Sequence, residues 1–257
     1  MRLEKFGLAK LAHDKPDFFW PMTREEQKAQ GQPGFDTEEY TYPKGFKCPV
    51  CEKSFVSTLA RESKIRIKSV DFDLHPICHP VDPNFYEAIM CPKCGYCAVR
   101  THFQNITHRQ ADVILAEISP NFIYHDYPEE LTAEMALEKY ELALINSLTK
   151  KANDGEIAYI CMKIMWIYKS KGDMENHKKF VELTLNGFTN ALMSEDLPIM
   201  GMQDDTITYL LGALNMFLEN KQEALKLLSG VIVSKTASTR LKDRARDLKD
   251  GIKPLGT

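Results

Sequence analysis

The sequence predicts an α+β protein in which a small cysteine-rich β module is followed by an all-α array of helical hairpins. Two observations predict this class. Six of the seven cysteines lie between residues 48 and 97, with Cys-x-x-Cys spacing among them, which is typical of a small module held together by a metal ion. From about residue 131, apolar residues recur with the period of a helix, while glycine, proline and cysteine become rare.

The composition excludes several classes of protein. Hydrophobic residues make up 44% and charged residues 27% of the 257 residues, as in soluble globular proteins. With 33 basic and 36 acidic residues the net charge is −3, which excludes a strongly basic nucleic-acid coat and an acidic solvating tail. No apolar run approaches the roughly 18 residues of a membrane helix, and no signal-peptide core follows the first residues. We therefore expect a cytoplasmic protein with no membrane partner.

Residues 1–46 are predicted to be a variable leader, because glycine and proline interrupt them repeatedly and no sustained period is present. Within this segment, Thr23 and Glu26 match the start of a short helix. The aromatic run Phe18-Phe19-Trp20 is expected to dock the leader onto its own domain, with anchoring of a partner as the alternative.

Residues 47–130 are predicted to form the cysteine-rich module. Its two tight turns are Cys48-Pro49-Val50-Cys51 and Cys91-Pro92-Lys93-Cys94-Gly95. Four thiolates in a tetrahedral array leave no open coordination position, so we predict a zinc-ribbon-like module with one structural zinc ion. Its ligands would be Cys48, Cys51, Cys91 and Cys94. A single iron ion is the minor alternative. The 39 residues between the two pairs exceed the common ~15–20, and a strand and a loop are expected to fill the insertion.

A strand with a basic face is predicted between the two cysteine pairs, over residues 61–70. Ile65 and Ile67 fall on one side of the alternating pattern, which indicates a half-buried strand. The other side carries Lys64, Arg66 and Lys68. A basic strand beside a zinc ribbon is a candidate contact for nucleic acid, and this is the alternative interpretation of the module. A second short strand is expected over residues 85–90.

The irregular loop predicted over residues 71–84 contains further polar side chains. The candidates for a second metal or thiol site are His75, Cys78, His79 and Cys97. Satisfied loop histidines and plain thiols are the simpler interpretation of these residues. Asp71 and Asp73 have the spacing of paired catalytic carboxylates, but solvated loop acids are the commoner outcome and the one we expect.

Residues 131–257 are predicted to be a helical domain. Thr132 can cap the first helix, Asn153-Asp154-Gly155 interrupts the pattern, and Gly172 suits the end of the second helix. Cys161 lies on an apolar helix face and is expected to be a buried thiol. Four more helices are expected, over residues 174–193, 204–218, from about 221 onward, and 236–250.

These helices pair as three hairpins that partly match tetratricopeptide repeats. Leu211-Gly212 is followed by Ala224 and Leu228 at the offsets of that repeat, whereas His177 and Asn215 stand where alanine and tyrosine are usual. We therefore predict tetratricopeptide-like helical hairpins, with an ordinary antiparallel bundle as the alternative. Either arrangement offers a surface to a protein partner whose identity the sequence does not reveal.

The cysteine region and the helices after it resemble the bacterial family known as domain of unknown function 2225. The resemblance covers roughly residues 46–250 and implies the same order of modules, but no activity, because none is established for the family. Two positions depart from it: Glu52 stands where glycine is frequent, and Cys97 where a small residue such as alanine is usual. Besides the two cysteine pairs, the resemblance rests on Ser63-Lys64-Ile65-Arg66, Asp71, Asp73, Pro83, Tyr86 and Tyr96.

The function expected from these patterns is that of a non-enzymatic zinc-binding adaptor whose helical repeats bind a partner protein. The sequence contains no phosphate loop, dinucleotide fingerprint, zinc-protease motif or serine-hydrolase motif. A nucleic-acid-associated zinc ribbon is the alternative. A redox or metal-dependent enzyme built on Cys78, Cys97 and the neighbouring histidines is a third, less favoured interpretation.

Overall fold

The structure, a computed structural model, describes residues 37–252. In chain order these residues form helix α1 (Thr37–Tyr40), strands β1 (Thr41–Lys47), β2 (Ser54–Ala60), β3 (Arg66–Val70), β4 (Pro76–His79), β5 (Ala88–Met90) and β6 (Cys97–Val99), and helices α2 (His108–Glu117), α3 (Ala133–Thr149), α4 (Asp154–Ser170), α5 (Met174–Ser194), α6 (Asp204–Phe217), α7 (Lys221–Val233) and α8 (Thr239–Ile252). The predicted α+β class is confirmed, because small antiparallel sheets precede a helical C-terminal region.

Each predicted metal-binding turn connects two paired strands. Strand β1 pairs antiparallel with β2, from Thr41↔Ala60 to Lys47↔Ser54, so the first cysteine pair occupies the turn of this hairpin. Strand β5 pairs antiparallel with β6, from Ala88↔Val99 to Met90↔Cys97, and the second pair occupies that turn. Strands β3 and β4 form a third two-stranded sheet.

The described residues divide into two compact units. Unit 1 contains residues 37–68 and 78–152, and unit 2 contains residues 69–77 and 153–252. Helix α3 therefore belongs with the strands of unit 1, and the segment 69–77 belongs with the helices of unit 2. The predicted boundaries at residues 47 and 131, between a leader, a cysteine-rich module and a helical domain, stay a prediction.

Helix α3 is the central element of unit 1. Thr132 caps it as predicted, because its side chain accepts a hydrogen bond from Met135 N–H. The helix is buried on nearly all sides, so that even Glu138 and Glu141 are largely removed from solvent. Tyr140 Oη donates to the Asn84 carbonyl (2.9 Å) and ties the helix to the segment before β5. The helix thus provides the platform against which the second cysteine turn is built.

Unit 2 consists mainly of antiparallel helix pairs. Helix α4 packs against α5, and α6 packs against α7. Gly172 ends α4 with a φ of +72°, as the sequence predicts, and Cys161 is fully buried. A Cβ atom on Gly187 would lie 2.8 Å from Ala158 Cβ, and one on Gly212 would lie 2.9 Å from the Leu228 side chain. Glycine therefore allows the close approach of both helix pairs, while the tetratricopeptide-like assignment stays a prediction.

The segment 69–77 is held in unit 2 by a partly buried ionic cluster. Lys169 Nζ lies 2.6 Å from Asp71 Oδ2 and 3.0 Å from Asp73 Oδ2, and Asp73 is fully buried. Burial raises the pKa of Asp71, but hydrogen bonds from Lys169 and the Phe72 N–H outweigh that effect and lower it. The prediction of solvated aspartates is therefore wrong for Asp73, which is buried and pairs with a lysine nearly a hundred residues away, whereas the Asp71 side chain is 35% exposed.

Three further local predictions differ from the structure. Ile67 is 62% exposed, so its predicted burial is wrong: β3 pairs with β4 in a two-stranded ribbon. Ile65, just before this strand, is partly buried as predicted. Strand β4 itself lies inside the loop predicted to be irregular. Strand β1 begins within the predicted leader, and its Pro43 and Gly45 are exposed, where a two-stranded sheet tolerates them.

The helix start predicted at Thr23 and the aromatic run at residues 18–20 lie outside the described residues. None of the helices within residues 37–252 combines the length and the apolar character needed to cross a membrane.

Candidate metal centre

The first cysteine turn is closed by hydrogen bonds between its ends. Cys48 N–H donates to the Lys53 carbonyl (3.0 Å), and Glu52 N–H donates to the Cys48 carbonyl (3.0 Å). Val50 N–H donates to Cys48 Sγ (3.4 Å). Glu52 adopts a φ of +59°, in the left-handed region that a residue with a side chain adopts at a cost of about 1–2 kcal/mol. The turn therefore fixes the spacing of its two thiols and directs an N–H group at sulfur.

The second turn repeats this backbone arrangement. Cys91 N–H donates to the Tyr96 carbonyl (2.8 Å), and Gly95 N–H donates to the Cys91 carbonyl (3.1 Å). Gly95 has a φ of +74° and occupies the position that Glu52 occupies in the first turn. Backbone N–H groups of Lys93 and Cys94 bond to the Cys91 thiol. Two Cys-Pro-x-Cys segments distant in sequence thus form the same knuckle, the term used below for each of these turns.

The two knuckles bring four sulfur atoms together. Cys48 Sγ lies 3.6 Å from Cys94 Sγ, and Cys51 Sγ lies 3.6 Å from Cys91 Sγ. All four sulfur atoms lie within 4.8 Å of one another. A tetrahedron with metal–sulfur distances of about 2.3 Å requires sulfur–sulfur distances of about 3.8 Å. All seven cysteines are free thiols, so the cluster is compatible with a metal site.

Hydrogen bonds among three of the thiols, those of Cys48, Cys91 and Cys94, shift their pKa values. Hydrogen bonds with Cys48 and Cys94 lower the pKa of Cys91, whereas those with Cys48 and Cys91 raise the pKa of Cys94. The cluster on its own therefore favours one thiolate over four, because each further negative charge is repelled by the first. A bound divalent cation supplies the positive charge that allows all four thiols to ionise.

The second knuckle is embedded in unit 1. Asn146 Nδ2 donates to the Gly95 carbonyl (3.1 Å), and Ser119 Oγ donates to the Cys94 carbonyl (2.8 Å). A Cβ atom on Gly95 would lie 2.5 Å from Phe122 Cγ, so no larger residue fits without displacement of that ring. Both of its cysteines are buried. Side chains from two other segments, helix α3 and residues 119–122, therefore fix the backbone of this knuckle.

The first knuckle has a more open setting. Cys51 is partly exposed, and the adjoining strand is tethered by an exposed hydrogen bond from Gln104 Nε2 to the Lys47 carbonyl (3.0 Å). Its strands contribute Phe46 and Phe55, whose rings lie 5.8 and 5.9 Å from that of Phe103. Because Phe103 also lies 5.1 Å from Tyr96 of the second knuckle, aromatic packing links the two knuckles.

Comparison with known families agrees with this architecture. The family described as "Uncharacterized protein conserved in bacteria (DUF2225)" matches residues 41–252, a range that includes both knuckles and helices α2 to α8. The chain belongs to this family. The match confirms the resemblance drawn from the cysteine pairs and their surroundings. No curated protein and no solved structure is detectably similar to the chain.

Cys97 of this DUF2225 protein is a separate buried thiol. Its Sγ donates a hydrogen bond to the Lys139 carbonyl (3.3 Å), and burial raises its pKa to about 12. Burial also lowers the pKa of Lys139 to about 8. Across residues 37–252, the four knuckle cysteines are the one group of three or more His, Cys, Asp or Glu side chains close enough to hold a metal ion.

The remaining candidates for a second metal or thiol site do not join such a group in the described residues. His75 is buried in unit 2 and stacks on Trp166, with ring centroids 4.9 Å apart. Cys78 is half-buried on β4, and burial raises its pKa. His79 is exposed on the same strand.

The three basic residues named as a candidate nucleic-acid contact are all exposed. Lys64 ends a short 3-10 helix, and its Nζ lies 3.8 Å from Glu39 Oε1. Arg66 and Lys68 lie on β3 at alternate positions, which places them on one face of the ribbon. Their role in binding stays a prediction.

Three side chains that support the knuckles were not predicted from the sequence: Asn146, Ser119 and Gln104. Asn146 interrupts the apolar run 142–145 of a buried helix, and a polar residue in such a place usually has a specific hydrogen-bond partner. The polar residue in an apolar stretch therefore indicates that a hydrogen bond exists, but the sequence does not identify the Gly95 carbonyl as the partner. Ser119 and Gln104 follow segments with no distinctive pattern, so the sequence offers no comparable signal for them.

Proposed function

We propose that this DUF2225 protein is a cytoplasmic zinc-binding adaptor without enzymatic activity. In this proposal Cys48, Cys51, Cys91 and Cys94 hold one structural Zn²⁺ ion, and the helices of unit 2 bind a partner protein. The observation that carries the proposal is the convergence of four sulfur atoms, all within 4.8 Å of one another, on two knuckles of the same backbone geometry.

The donor set supports a structural zinc ion. Thiolate ligands favour zinc and iron among the metals of the cell, and four protein ligands leave no coordination position for a substrate. Both sheets that carry the knuckles have only two strands, which gives them little core of their own. A zinc ion joining residues 48–51 to residues 91–94 would add a cross-link where burial alone is limited.

Cobalt substitution tests the proposed ligand set. Tetrahedral Co²⁺ bound by four thiolates has intense visible bands and a thiolate charge-transfer band, and we expect both in the wild-type protein. Cys94→Ser should weaken them, because one thiolate is lost. Cys97→Ser is the matched control, since Cys97 is buried but bonds to Lys139 and not to the cluster. Equal spectral loss in both variants, or no thiolate band in the wild type, would contradict the assignment.

Exposed apolar side chains in unit 2 support the adaptor role. Met193, near the end of α5, is 76% exposed, and Val233, at the end of α7, is 78% exposed; these two side chains are the contacts that the proposal assigns to the partner protein. We expect the double variant Met193→Glu/Val233→Glu to lose proteins that the wild type retains from a bacterial lysate. Lys226→Glu, another exposed position on α7, is the control. Identical sets of retained proteins for the wild type and the double variant would refute a role of these two side chains in binding.

A second candidate function is contact with nucleic acid, which the exposed Lys64, Arg66 and Lys68 favour. It predicts that single-stranded DNA or RNA binds at low ionic strength and dissociates steeply as salt rises. Reversal of all three charges to glutamate should abolish the binding, as measured by fluorescence anisotropy. Absence of binding at low ionic strength would remove this candidate.

A further inference from the structure

A polar cleft lies in unit 1 beside the end of the β1–β2 hairpin. Its volume is about 430 Å³, and it is shallow and open to solvent. It contains no cysteine and no residue of unit 2. The lining residues are Tyr42, Ala60, Arg61, Glu62, Ser63 and Arg100.

Arg61 is held in place by groups that leave its terminal nitrogens available. Its Nε donates to the Thr41 carbonyl (2.8 Å), and its guanidinium group lies 5.3 Å from the centre of the Tyr42 ring. Its backbone N–H donates to the Tyr40 carbonyl (2.7 Å). Within the described part of the chain, no carboxylate forms an ion pair with Arg61. A guanidinium group fixed in this way retains the two-pronged donor geometry that matches carboxylate and phosphate groups.

The charges around the cleft favour an anion. Arg100 Nη2 lies 2.6 Å from Glu62 Oε1, so these two charges largely offset each other. The lining residues Arg61, Arg100 and Glu62 together carry a net charge of about +1 at neutral pH. The Ser63 hydroxyl adds a neutral hydrogen-bond donor at the rim. Among the described residues, the cleft therefore combines Arg61, which has no carboxylate partner, with Arg100, which is paired with Glu62.

We propose that this cleft binds an oxyanion, the carboxylate or phosphate group of a small ligand. The terminal nitrogens of Arg61 bind the oxyanion, and Arg100 adds a second positive charge. Glu62 opposes the ligand, because it repels anions and engages Arg100. This site goes beyond the proposed zinc-dependent adaptor function, since no zinc ligand and no helix of unit 2 contributes to it.

Nuclear magnetic resonance of the full-length, zinc-loaded protein with ¹⁵N-labelled arginine tests the proposal. Inorganic phosphate and acetate are titrated separately at constant ionic strength. We expect saturable shifts of the Arg61 side-chain resonance with at least one of the two probes, and the probe that saturates identifies the group. Arg61→Gln should weaken binding about tenfold, as expected for loss of a charge-assisted hydrogen-bonding group. Glu62→Gln should strengthen binding severalfold.

Arg61→Gln should weaken anion binding and Glu62→Gln should strengthen it. Because unfolding would weaken binding in both variants, opposite effects distinguish anion recognition from loss of the fold. Arg61→Lys keeps the charge but loses the two-pronged geometry, and it should bind more weakly than the wild type. Arg109→Gln is the control, because Arg109 is exposed on α2 outside the cleft, and binding should be unchanged. Shifts that fail to saturate with both probes, or a Glu62→Gln variant that binds no more tightly than the wild type, would overturn the proposal.

Discussion

The two knuckles share a backbone and differ in what surrounds them. In each, the first cysteine donates to the residue five positions on and accepts from the residue four positions on. The second knuckle is enclosed by Asn146, Ser119 and Phe122, whereas the first is tethered through an exposed glutamine and keeps Cys51 partly exposed. Local sequence therefore sets the turn, and tertiary packing determines how much change each turn tolerates.

The residue that follows each cysteine pair shows how the surroundings of a knuckle limit the side chain at that position. Both positions have a positive φ, +59° at Glu52 and +74° at Gly95. In the open knuckle a glutamate adopts this conformation at a cost of about 1–2 kcal/mol. In the enclosed knuckle the ring of Phe122 leaves no space for a Cβ atom, so glycine is required for two independent reasons.

The largest effect is expected when one cysteine ligand is replaced by serine, and it should differ between the two knuckles. Cys94→Ser should lower zinc affinity by several kcal/mol, within the ~10–16 kcal/mol that structural zinc contributes in small domains, and it should also loosen the buried packing of unit 1. Cys51→Ser should lower the affinity while the core stays protected, because Cys51 lies at the partly exposed side. Zinc competition and amide hydrogen exchange measure both effects.

The control for these ligand variants is Cys78→Ser, since Cys78 is half-buried and outside the four-sulfur cluster. Its zinc affinity should equal that of the wild type. A hydrogen-exchange pattern of Cys94→Ser indistinguishable from that of Cys51→Ser would show that the two knuckles are equally important for packing.

The next effect tests the enclosure of Gly95. Gly95→Ala should destabilise the zinc-loaded protein by about 2–5 kcal/mol, the sum of left-handed strain and overpacking against Phe122. Urea unfolding followed by circular dichroism measures the change. In a double-mutant cycle with Phe122→Ala, the second substitution should recover the overpacking part. A loss of only about 1–2 kcal/mol, the strain alone, would mean that the Phe122 ring moves aside freely.

A smaller effect compares the hydrogen bonds that tether the two knuckles. Asn146→Ala removes a buried donor to the Gly95 carbonyl and should destabilise by about 1–3 kcal/mol, because a buried carbonyl loses its partner. Gln104→Ala removes the exposed donor to the Lys47 carbonyl, and since water replaces it the loss should be about 0.5 kcal/mol or less. Equal losses in thermal unfolding would contradict the difference in enclosure.

The smallest effect has the opposite sign. Glu52→Gly should stabilise the protein by up to about 1 kcal/mol, since relief of left-handed strain exceeds the entropy that glycine adds to the unfolded chain. Glu52→Ala keeps a Cβ atom and should leave stability nearly unchanged, which makes it the control for loss of the carboxylate. Both changes are measured by urea unfolding at saturating zinc. A Glu52→Gly variant less stable than Glu52→Ala would contradict the account of this turn.

The parts of the fold that sequence predicts are those fixed by local patterns. The four clustered cysteines follow from the Cys-Pro-x-Cys spacing, the end of α4 from Gly172, and the start of α3 from Thr132. Each depends on residues only a few positions apart, where turn and helix chemistry decides the conformation.

The parts that sequence does not predict depend on distant partners. The burial of Asp73 requires Lys169 of α4, and the enclosure of Gly95 requires Phe122 and Asn146. Ile67 is exposed on a ribbon of only two strands among the described residues, and the alternation of residue types in the sequence does not indicate whether a strand face is covered. No period or spacing encodes such pairs.

The central claim is that the two knuckles hold one zinc ion, and elemental analysis tests it most directly. The wild-type protein, purified without chelator, is compared with the double variant Cys48→Ser/Cys94→Ser, which removes one ligand from each knuckle. We predict one zinc and no iron per wild-type chain, and no metal in the variant. Iron, two metals per chain, or zinc retained by the variant would contradict the claim.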